Sequence, residues 1–215
     1  MTKKSVLSLI AVSILFIAIS PLYAVPVDLV IFNNSAVAAL QPAQLHFTVE
    51  ATDIGSGKVA FEIKNLSAID SVIKSVYFDV DPLAGMSIAD IVNGIGTNFA
   101  PGSNPAELPA GKDEDKIASF GGIFDTVFSA GATSPSGLNG NGIDRNESII
   151  VNVNLGGNDA TSVVNMFENG DIRVGAHIGS IPGYDSVSAV STPEPATIAL
   201  LGLGSLILMK KRSGK

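Results

Sequence analysis

A single antiparallel β-sandwich with one short helix is the fold class the sequence predicts for residues 25–185. Three observations predict it. Apolar and polar residues alternate with period two in several short runs. Gly, Pro and Asn cluster between those runs, in a chain of 22 Gly and 11 Pro that is well supplied with turn formers. No strand–helix–strand rhythm repeats, which argues against a parallel sheet.

Residues 25–32 (VPVDLVIF) read as an opening strand, with Pro26 restricted to its start or an edge. Asn33, Asn34 and Ser35 form a turn candidate. Leu45, Phe47 and Val49 alternate with His46, Thr48 and Glu50; after D-I-G-S-G at 53–57, Val59, Phe61 and Ile63 alternate with polar residues. This pattern predicts an antiparallel hairpin. Residues 72–80 (VIKSVYFDV) are rich in β-branched and aromatic side chains and predict a third strand. Ser87, with Asp90 three residues on, predicts a short helix over 87–94. Residues 94–111 form a long Gly/Pro/Asn loop, a candidate interaction surface. Residues 112–116 are a solvated charge cluster, and 124–128 (FDTVF) read as a strand. A second loop spans 133–146, followed by an alternating strand at 147–155 (ESIIVNVNL). Asp159 caps a helix whose Ala160, Val163, Val164 and Phe167 share one face, and Asn169-Gly170 stops it. Ile172, Val174, Ala176 and Ile178 alternate in a last strand, and 186–192 reads as a linker.

Both ends depart from this pattern. Lys3 and Lys4 precede an apolar run at 6–19, and Ala24 closes S-P-L-Y-A. That is the three-part layout of a secretory signal peptide, 1–24, cleaved by signal peptidase after Ala24; the competing reading is an uncleaved anchor. At the other end, Pro193-Glu194-Pro195 leads into an uncharged run at 196–209, then Lys210, Lys211 and Arg212. As a helix that run is about 21 Å long, short of the roughly 30 Å bilayer core. Snorkelling basic residues and local thinning close the gap. An ordinary buried helix is the competing reading. Basic residues flank both apolar runs on the side that stays cytoplasmic, which places residues 25–192 outside.

The order and spacing of Pro193, Glu194, Pro195, the apolar run and the basic stop at Lys210, Lys211 and Arg212 resemble the PEP-CTERM sorting signal, over 193–215. The resemblance implies a transient inner-membrane anchor, recognised by an exosortase-type processing enzyme. It also implies an exported protein of Gram-negative bacteria that make exopolysaccharide, which adds exopolysaccharide to the candidate partners. These are substrate residues for another enzyme. Asn139 to Ile143, Glu147-Ser148 and Arg173 to His177 further resemble a recurrent group of PEP-CTERM proteins, from which no activity carries over.

Composition narrows the chemistry. All 20 acidic residues except Glu194 lie in 25–192, against 7 of the 13 Lys and Arg, a balance of 7 − 19 = −12. A domain this acidic repels phosphate backbones, so nucleic acid is not an expected partner. Without cysteine there is no thiol catalysis, thiolate metal site or disulfide framework. No tryptophan offers a sugar-stacking platform. Calcium is the cofactor considered, because Asp79, Asp81, Asn139, Asn141 and Asp144 put oxygen ligands near turns. The spacing departs from the EF-hand pattern, and Asn-Gly pairs ordinarily serve turns, so no cofactor is assigned. His46 and His177 occupy polar positions of alternating strands and read as surface or hydrogen-bonded residues. Neither a G-x-S-x-G elbow nor a phosphate-binding Gly-rich loop is present. The expectation is a non-enzymatic exported protein of the cell surface or matrix. Its rival is a secreted carbohydrate-binding module or glycan hydrolase, for which Glu107 and Glu147 are the acids to examine.

Overall fold

The computed structural model describes residues 25–80, 83 and 85–192. Ten strands form one sheet, in the order β5-β8-β3-β2-β1-β10-β9-β4-β7-β6. They are β1 (Val27–Ile31), β2 (Phe47–Gly55), β3 (Lys58–Asn65), β4 (Val72–Asp79), β5 (Ser87–Asn93), β6 (Phe99–Pro101), β7 (Phe128–Ala132), β8 (Ser148–Asn154), β9 (Arg173–Gly179) and β10 (Val187–Thr192). Every neighbouring pair is antiparallel. The sheet curls until its two edges nearly meet as a barrel. Asn93 at the end of β5 bonds the Phe99 backbone of β6 in both directions, Phe99 N–H to Oδ1 at 2.6 Å and Nδ2 to the carbonyl at 3.2 Å.

The mainly β, antiparallel prediction holds; the division into two packed sheets does not. Pairing of β1 with β10 joins what would have been separate layers. Alternation reports which face of a strand is buried, and both architectures bury one face.

Inward side chains from all around the sheet form one core. Phe61 sits at its centre, edge-on to Phe78 at 5.3 Å and to Phe167 at 5.5 Å. Helices fill the barrel ends. At one end, α1 (Ser35–Ala38) is capped by the Asn34 side chain and buries Val37. At the other, α3 (Ala160–Asn169) is capped by Asp159 as predicted, buries Val163, Val164 and Phe167, and stops at Gly170 in the left-handed conformation.

Three further segments differ from expectation. Residues 87–94 form β5 rather than a helix. Ile88 faces Val153 and Ile91 faces Val151, with an irregularity between Ile88 and Asp90. That extra residue spaces two same-face isoleucines by three, which imitates a helical period. The 186–192 linker is β10, an interior strand buried on both faces. Such strands lose the alternation that identifies exposed ones. In 124–128 only Phe128 enters a strand, stacking on Phe78 at 4.8 Å.

Phe124 instead joins a second, smaller core on the outer face of the sheet. Residues 102–127, including α2 (Glu114–Ile117), lie across that face as a strap, burying Leu108, Ile117 and Phe124 against Tyr77 and Val190. Gly175 of β9 permits the close approach, since a Cβ there would stand 2.8 Å from a Leu108 methyl. Arg173 ties the strap down. Its guanidinium donates to the carbonyls of Phe120, Gly122 and Ile123, pairs with buried Asp79, and lies 5.3 Å from the Phe124 ring centre.

The antiparallel register gives the barrel a polarity. Asp28 at the start of β1 lies opposite Thr192 at the end of β10. The described chain therefore enters and leaves at one end, the near pole. The starts of β4 and β10 and the ends of β7 and β9 lie at the far pole.

Candidate ligand pocket

The pocket arises from a local slip in β4. Ile73 pairs with Ile178 and Ser75 with His177, which leaves Lys74 outside the ladder. A bulge of this kind re-aims the side chain it carries. Lys74 reclines across β9 at Gly179, where a Cβ would come within 2.6 Å of Nζ. Beside it, Lys74, Ser75, Asn104, Ser134, Ser136 and His177 line a polar pocket of about 470 Å³. That volume is within the ordinary range for small-molecule sites. The pocket opens on the outer face at the far pole, between the strap and the loop after β7.

Its cation stands apart among the described lysines. Lys58, Lys64, Lys112 and Lys116 each have a carboxylate within ion-pair reach. Lys74 has none among the described residues. His177 is half-buried, and its Nδ1 is enclosed without a hydrogen-bond partner. Burial first, and then the Lys74 charge, hold the imidazole below its ordinary pKa, against an opposing pull from the Val187 backbone.

This shift has a stability consequence. As pH falls through 6.5, the ordinary value, the unfolded chain takes up a proton before folded His177 does. The contribution of this group is complete above that value and is lost as pH falls towards the depressed one. A thermal unfolding series from about pH 8 to about pH 5 should show Tm falling over that interval, and His177→Gln should flatten the slope.

The other candidate residues serve the fold. His46 Nε2 lies 3.2 Å from Asp28 Oδ1 on the surface. Asn141 spends its amide on Thr133 and Ser134, and Asp144 Oδ2 accepts the Asn139 N–H at 2.6 Å. Burial chiefly, with some help from the Asp70 charge, pushes the Asp144 carboxyl up against that hydrogen bond. Asp79 is paired with Arg173, and Asp81 lies outside the described residues. Among the described residues no three His or acidic side chains are grouped to hold a metal. Glu107 pairs with Lys112 at 2.8 Å, and Glu147 accepts the Asp144 N–H at 2.8 Å, so each is engaged locally. Sequence reading placed His177 but passed over Lys74. The one signal for it was a break in alternation, with Val72 and Ile73 adjacent and both buried.

Comparison with known families decides the tail. The family described as "PEP-CTERM protein-sorting motif" matches residues 191–213. The chain carries a PEP-CTERM sorting motif. No curated protein and no solved structure matches the chain. The PEP-CTERM match implies export, transient membrane anchoring and processing by an exosortase. Its first two positions, Ser191 and Thr192, are the last two of β10, so the motif begins inside the folded domain. Pro193, Glu194, Pro195, Lys210, Lys211 and Arg212 lie outside the described residues, as do Ala24 and the expected signal peptide and tail helix. Among the described residues no helix is long and apolar enough to cross a membrane.

Proposed function

We propose that this is a non-enzymatic exported protein, matured at both ends and retained at the cell surface or in an exopolysaccharide matrix. The observation that carries the reading is the sorting-motif match at 191–213. The signal-like layout ending at Ala24 supports it from the other side, with signal peptidase acting there and the inner membrane holding the tail until processing. The barrel suits the role, because the described chain enters near Asp28 and leaves at Thr192 at the same pole.

The test is maturation in a producing cell. Pro193→Ala with Pro195→Ala, and separately Lys210, Lys211 and Arg212 all changed to Gln, should leave an unprocessed form in the membrane fraction. Fractionation and mass spectrometry of both protein ends give the readout. Unchanged ends and unchanged location in both variants would remove the proposal's basis.

A further inference from the structure

We propose that the far-pole pocket around Lys74 and His177 binds a small, hydroxyl-rich carboxylate, that is, an acidic sugar. The site is assigned by its own chemistry and does not depend on how the chain is sorted.

Three observations converge on Lys74. Lys74 has no carboxylate partner among the described residues, although residues 25–192 carry 19 acidic side chains. An ammonium without a carboxylate partner is free to make a charge-assisted hydrogen bond to a ligand carboxylate. A β-bulge presents it, and bulges at sheet surfaces commonly re-aim functional side chains. Gly179 gives the lysine stem room to lie flat, so its ammonium stands over the pocket beside β9.

The remaining lining selects the rest of the ligand. Ser75, Ser134 and Ser136 each present a hydroxyl able to donate and accept, and Asn104 presents an amide. Such walls match the vicinal hydroxyls of a sugar ring better than an apolar acid. No Phe, Tyr or Trp ring lines the pocket, so recognition rests on charge and hydrogen bonds rather than on a stacking platform. His177 is a neutral imidazole near neutral pH, which adds a polar edge without a second positive charge. A single cation favours a monovalent carboxylate over a phosphate, which usually draws several basic groups.

Placement agrees with accessibility. The pocket lies at the far pole, about one strand length, roughly 20 Å, from the pole bearing Asp28 and Thr192. The pocket and the point where the described chain ends, at Thr192, therefore lie at opposite poles.

The experiment is saturation-transfer NMR on the full chain in detergent micelles, titrating glucuronate, galacturonate, glucose, acetate and inorganic phosphate. Either uronate should bind at least several-fold more tightly than glucose or acetate. Lys74→Met, which keeps the apolar stem, should weaken uronate binding roughly tenfold or more, the scale of a lost charged hydrogen bond. Gly179→Ala keeps the charge but displaces the ammonium, and should weaken binding in the same direction. Lys112→Met, on the strap, should leave it unchanged. Circular dichroism melting of each variant separates loss of binding from loss of fold. Absence of uronate binding, equal binding of glucose and glucuronate, preferential phosphate binding, or insensitivity to Lys74→Met in a folded variant would each overturn the assignment.

Discussion

Arg173→Met is expected to lower stability by about 3–5 kcal/mol, the usual effect of removing one partner from a buried ion pair. Asp79 would remain enclosed, at 7% exposure, with its counter-charge gone. The carbonyls of Phe120, Gly122 and Ile123 would lose their shared donor, and Phe124 its cation. Urea denaturation should show the fall in midpoint, and limited proteolysis should show new cuts within 102–127. Arg173→Lys should not rescue it, because one ammonium cannot copy a planar fork reaching four oxygens. The double change Arg173→Met with Asp79→Leu should recover part of the loss, since it removes the stranded charge.

Phe61→Ala should be comparably damaging, by about 3–5 kcal/mol. Phe61 is 1% exposed and links three elements: β3, which bears it, β4 through Phe78, and α3 through Phe167. The cavity left at their meeting point cannot collapse without moving the helix that fills the near pole. Phe61→Leu should cost less, because much of the volume stays. Thermal unfolding monitored by far-ultraviolet circular dichroism ranks the two variants against wild type, and equal Tm values for Phe61→Ala and wild type would contradict the packing described.

Local chemistry was legible wherever one face of an element meets water. The β2–β3 hairpin alternates Val59, Phe61 and Ile63 inward against Lys58, Glu62 and Lys64, and folds as it reads. Asp159 and Gly170 mark both ends of α3 because capping is a one-residue property. Legibility failed where burial is two-sided or the period slips. Ser188 and Ser191 made β10 look like a linker, yet both are buried beside β9, where the Ser191 hydroxyl accepts the Val174 N–H. At β5 one extra residue disguised a strand. The pocket follows the same logic. His177 stood at a visible polar position, while its neighbours from β4, the strap and the loop after β7 are 41 to 103 residues away in sequence and are gathered only by the closed sheet. The sorting motif was readable because it is linear.

The junction at Thr192 sets a mechanical condition on maturation. The sorting motif begins within a strand zipped on both sides, to β1 and to β9. Tension on the tail is borne first by the Thr192–Asp28 end of the ladder, at one outermost pair rather than across all pairs at once. An enzyme that grips Pro193 and needs extended chain upstream must peel that end open. Lengthening the joint with a few Gly-Ser residues should ease its work without touching the motif itself.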